Sequence, residues 1–170
     1  MKKVLPWLAV TAVVAAAGLF VSSESWAAED EAAPASLVED YTHPGAEAIL
    51  AEYGLKVFKG DGHIMFTASY KFDENRQCAA GEIQVEKLIE VDPYGVYYCF
   101  KTVGTQGFLT LEVPGTFGVR GGSRAIQATA DLPEGEKTYQ ISPNSYVAIS
   151  PGSGSDLPEA ILVELRMTGA

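Results

Sequence analysis

From Leu55 onward, apolar and polar residues alternate with a period of two, in short runs cut apart by glycine and proline. This is the pattern of half-buried β-strands. The runs are "LKVFK", "HIMFTASY", "IQVEKLIEV", "VYYCFKTV", "FLTLEV", "RAIQATADL", "KTYQI", "YVAIS" and "AILVELRM". "DPYG" (92–95) turns the chain, with Pro93 pre-set for the second position of a type I turn. "PEGE", "SPN" and "SPGSGSD" separate later runs. About eight or nine such strands predict an all-β fold, an antiparallel β-sandwich, with a closed barrel as the alternative. In "IQVEKLIEV", Ile83, Val85, Ile89 and Val91 share one face, and Gln84, Glu86 and Glu90 share the other.

One short helix precedes the strands. In "HPGAEAILAEYG" (43–54), Pro44 suits the first turn and Gly54 the position just past the end. Ala46, Ile49, Leu50 and Tyr53 fall on one stripe at helical spacing.

The N-terminus has the form of a secretory signal peptide over residues 1–27. Lys2 and Lys3 are followed by an apolar segment (4–21), then by small residues at Ser25 and Ala27. The alternative is an uncleaved membrane anchor, for which the apolar run is borderline in length. Residues 28–42 are small, acidic and broken by Pro34, which predicts a disordered arm. Residues 43–170 are then a single β-sandwich domain, and the protein is secreted and extracellular. Within the arm, "SLVEDY" (36–41) has enough apolar character to dock on a partner's sheet.

The chain carries a net charge of −10. An acidic surface argues against nucleic acid or anionic membrane as partner and favours a basic protein. Cys78 and Cys99 are its only cysteines. In an oxidising compartment they predict one disulfide. A redox pair would need closer spacing, and a zinc site would need other ligand spacing.

"FKGDGHIMF" (58–66) places Asp61 and His63 among glycines. Asp-Gly is a preferred pair for a two-residue hairpin loop. With Asp61 and Gly62 in that loop, Leu55, Val57, Ile64, Phe66 and Ala68 form one core face. Lys56, Phe58, Met65, Thr67 and His63 take the other. The competing reading is a catalytic or metal corner. A metal site wants three or four ligands, and a triad wants a positioned serine. "GGSRA" (121–125) is only loosely like a nucleophile elbow. No catalytic residue, cofactor site or metal site is therefore predicted.

Two further stretches bear on binding. "VPGTFGVRGGSR" (113–124) reads as a glycine-rich loop holding Arg120 and Arg124. Either their forked donors bind a carboxylate or acidic surface, or the stretch is a long hairpin whose surface arginines offset an acidic body. In "YYCF", Tyr98 and Phe100 share one face and Tyr97 and Cys99 the other, so one pair is core.

"KGDGHI" (59–64), the "CF" of Cys99 and Phe100, "GFLTLEVP" (107–114) and "LVELR" (162–166) occur together as in small secreted β-domain proteins of actinobacteria. The chain resembles that group. Some of its members are similar to the adaptor subunit of umbrella-shaped antibacterial toxin particles. There, a small β-domain joins a lectin-bearing subunit to a stalk subunit. The resemblance implies a non-catalytic connector and carries over no catalytic residues.

The leading expectation is a secreted protein-binding or adaptor module. Its candidate partner-binding residues are Leu37, Val38, Tyr41, Arg120 and Arg124. The second expectation is a secreted inhibitor, or a small-ligand or glycan-binding domain. The third is a hydrolase using His63 with Asp61 or a distant serine.

Overall fold

A computed structural model describes residues 42–150 and 156–169. The predicted signal segment and the predicted arm up to residue 41, with Leu37, Val38 and Tyr41, lie outside the described residues. The fold is all-β, with one α-helix and ten strands among the described residues. Helix α1 is Ala46–Tyr53. The first five strands are β1 Lys56–Gly60, β2 Ile64–Lys71, β3 Ile83–Leu88, β4 Gly95–Thr102 and β5 Gln106–Pro114. The others are β6 Thr116–Arg120, β7 Ile126–Leu132, β8 Gly135–Ile141, β9 Tyr146–Ala148 and β10 Ile161–Thr168.

The strands form two antiparallel five-stranded sheets, ordered β1-β5-β10-β7-β8 and β2-β4-β3-β6-β9. Period-two alternation gives each sheet one apolar face. A single core cluster draws on both: Leu109, Leu111 and Leu165 from the first, Ile83, Val85 and Phe100 from the second. The strand faces agree with the sequence pattern except at Ala68, which lies past a register shift after Phe66 and is not in the core cluster. Leu55, Val57 and Ile64 are buried, and Phe66 packs against the core. Tyr98 and Phe100 are core, while Cys99 lies on the opposite face of β4.

The predicted hairpin does not form. β1 pairs with β5 and β2 with β4, so Asp61–His63 is a crossover between sheets. The cause is the Asp61 side chain. Its Oδ1 accepts the backbone N–H of His63 at 3.1 Å and of Phe108 at 3.2 Å. That fastens the corner to β5, while Val103 N–H donates to His63 O at 2.8 Å on the side of the second sheet. Gly62 takes φ +79, which a side chain would strain. At Gly107 the fit is tighter still, since a Cβ there would run into His63 Cβ.

Other expectations are corrected. The segment 113–124 is neither one long loop nor a hairpin, because β6 runs through it and joins the second sheet while β5 lies in the first. Its glycines serve packing: a Cβ on Gly118 would collide with the Tyr146 ring. At "DPYG", Tyr94 N–H donates to Val91 O at 2.7 Å. The turn is therefore Val91–Tyr94, with a cis Asp92–Pro93 bond and Pro93 in its third position. In α1, Ala46 and Ile49 pack on the core, but Leu50 and Tyr53 are exposed. The helix ends as predicted, with Gly54 N–H bonded to Leu50 O at 3.0 Å. Thr42, assigned to the disordered arm, instead forms an antiparallel bridge with Lys59 on the edge of β1.

The Cys78–Cys99 disulfide is present and joins residues 21 apart. Closing such a loop stabilises the fold by about 3 kcal/mol on the chain-entropy account.

Asp61→Ala would leave the His63 and Phe108 N–H groups without their acceptor. We expect a loss of about 1–3 kcal/mol in urea denaturation. Asp61→Asn keeps an acceptor oxygen and should lose less. Equal losses would show that hydrogen bonding is not what holds the corner.

Candidate binding surfaces

The Asp61–His63 pair is the first sequence candidate. His63 Nδ1 lies 3.3 Å from Asp61 Oδ1, and both side chains are partly exposed. The same carboxylate already accepts the N–H groups of His63 and Phe108. Its geometry is that of a corner brace. Among the described residues, the cluster of metal-ligating type is Cys78, Glu82 and Cys99. Its two cysteines are joined to each other, so they offer no thiolates.

Arg120 and Arg124 sit in different surroundings. Arg120 Nη2 donates to Gln84 Oε1 at 3.0 Å and to Cys78 O at 3.1 Å. Gln84 Oε1 also accepts Cys78 N–H, and its Nε2 donates to Glu86 Oε1 at 2.9 Å. Tyr146 Oη donates to Glu86 Oε2 at 3.2 Å. The result is a polar network across β3, β6 and β9 on the outer face of the second sheet, reaching the disulfide. Burial, then the Glu86 carboxylate, push the Tyr146 hydroxyl's pKa well up, so it stays a donor. Alternation assigned Gln84 to the correct face, yet it is only 2% exposed. Arg120 and the chain at Cys78 cover it, and no period-two signal encodes that cover. Arg120 is thus engaged within the domain. Arg124 is exposed between β6 and β7, beside a hollow of about 140 Å³ with Ser123 and Pro143.

His43 is 7% exposed, and neither ring nitrogen has a hydrogen-bond partner. Burial pushes its pKa down; the Pro44 carbonyl works weakly the other way without reaching hydrogen-bond geometry.

A further surface escaped sequence reading. Val91 was grouped on one face with Ile83, Val85 and Ile89, but β3 ends at Leu88 and the turn swings Val91 out. Val91 is 68% and Tyr94 64% exposed. Beside them is a cleft of about 800 Å³ lined by Ile89, Glu90, Tyr94, Asp156, Leu157 and Glu159. Two large apolar side chains therefore project from an acidic surround. The only sequence signal was the turn itself, which puts its central residues at a tip.

Arg120→Ala should lower stability by about 1–3 kcal/mol, because Gln84 loses a buried partner. Arg124→Ala should stay within about 0.5 kcal/mol. Urea midpoints of both variants decide this; similar losses would sink the distinction. His43 gives a pH prediction. Its folded-state pKa lies below the ordinary value of 6.5, so under that value the unfolded chain takes up the proton first. Stability should fall as pH drops through this window, and His43→Leu should flatten that part of the profile. An unchanged slope would count against a buried neutral imidazole.

No family model matches this chain, and a search of curated proteins finds no match.

Proposed function

We propose that the chain is a secreted, non-catalytic binding module that docks a basic protein partner through the tip at Val91 and Tyr94. The observation that carries this reading is the pair of exposed apolar side chains surrounded by Glu90, Asp92, Asp156 and Glu159. An exposed tyrosine is a strong contact anchor, and a surrounding acidic field selects a partner rich in arginine or lysine. The net charge of −10 favours the same kind of partner. The N-terminal leader and the disulfide support secretion. The shared core cluster supports a β-sandwich as the finer description of the fold. Likeness to adaptor subunits of umbrella-shaped toxin particles supports a connector role, in which the domain holds other secreted proteins together.

Capture from the producing culture fluid is the test. The wild-type chain should retain a partner whose binding weakens as salt rises from about 0.05 to 0.5 M, where screening shortens sharply. Val91→Ser with Tyr94→Ala should lose that partner while keeping the wild-type urea midpoint. Retention of the same partner by the double variant would remove the tip from the reading. A chain that stays monomeric and captures nothing would remove the adaptor role.

A further inference from the structure

If the chain is the connector proposed above, it needs a second contact face, and a groove lies on a different part of the surface. β2 ends its sheet: β4 lies on one side and, among the described residues, no strand on the other. A groove of about 430 Å³ runs between this free edge and helix α1. Three consecutive β2 residues, Met65, Phe66 and Thr67, line it, so the groove follows the strand's edge and not one face of it. Across from them stand Ile49, Glu52 and Tyr53 of α1. The Tyr53 and Phe66 rings meet at a centroid distance of 5.0 Å, giving the groove an apolar lining.

The backbone of β2 has hydrogen-bonding capacity on this side. His63 O is bonded toward the second sheet by Val103 N–H. Backbone groups in an antiparallel ladder alternate in direction, so Met65 continues that pairing with Lys101, and Phe66 N–H and C=O turn to the free side. Unpaired edge groups are a template for another strand. Exposed Glu52 on α1 and exposed Lys101 on β4 add one charge of each sign to the lining.

We propose that the groove between α1 and β2 binds an extended peptide segment of a partner protein, which adds as a strand to β2. Backbone hydrogen bonds to Phe66 fix the strand. Alternate apolar side chains enter the groove against Ile49, Tyr53 and Phe66, and the segments between them face solvent. An acidic side chain of the peptide meets Lys101, and a basic one meets Glu52. The tip at Tyr94 plays no part.

The probe is a blocked hexapeptide alternating valine with threonine, lysine and glutamate, added to the secreted chain and followed by amide chemical shifts. Shifts should concentrate at Met65–Thr67 and Ala48–Tyr53, and the Phe66 amide should exchange more slowly. Ala48→Arg fills the groove from an exposed helix position and should weaken binding about tenfold or more. Val91→Ser with Tyr94→Ala should leave peptide binding unchanged, which separates this site from the tip. Two N-methylated peptides, each blocking one edge, should behave differently: one binds and one does not. Binding of both would overturn strand addition. Absence of shifts at the groove, or indifference to Ala48→Arg, would overturn the site. Self-association of the chain abolished by Ala48→Arg would assign the groove to a second copy and overturn the partner peptide.

Discussion

The carboxylate of Asp61 holds the corner on which the two-sheet arrangement depends. Without it, the shortest path from β1 to β2 is a hairpin, and Asp-Gly is the dipeptide that favours one. By accepting N–H groups from both His63 and Phe108, it ties the chain to β5 while the strand after it joins β4. The two sheets are thus linked at a fixed place by three residues. Gly107 permits this because it leaves room for His63. Much else follows from the crossover, including the shared core and the outer edge of β2, which is unpaired among the described residues.

Sequence pattern and structure agree where local periodicity is decisive. The faces of Leu55, Val57, Ile64, Tyr98 and Phe100 could be read because alternate side chains of a strand must point to opposite sides. The disulfide could be read because the chain has only two cysteines. Pairing could not. A turn dipeptide constrains φ and ψ but does not choose which strand lies alongside, and here the Asp61 carboxylate meets the backbone of Phe108, 47 residues along the chain. β6 was hidden for a related reason. Its glycines resemble those of a loop, but Gly118 is there to receive the Tyr146 ring.

The candidate surfaces were less legible than the fold. Arg120 looked available because a sequence cannot show what covers a side chain, and here Gln84 and the Cys78 carbonyl engage it. Val91 was grouped with Ile83 and Val85 because alternation was extended three residues past the end of β3 at Leu88. The groove beside α1 depends on which strand ends a sheet, a property of topology with no local signature. Tip and groove differ in chemistry: one offers aromatic and aliphatic side chains in an acidic field, the other a row of backbone groups beside an apolar wall. On the two proposals above, such unlike surfaces would let one small domain hold two unlike partners without competition.

The bridge between Thr42 and Lys59 has a mechanical consequence. Force applied along the chain ahead of Thr42 reaches the domain at the outer edge of the first sheet. The Thr42 bridge and the His43 N–H bond to Phe58 O at 2.8 Å receive the load before the helix does. Behind them, β1 is held by its ladder with β5 and by the Asp61 brace. A tether attached at this end would strain that edge contact before the ladder between β1 and β5.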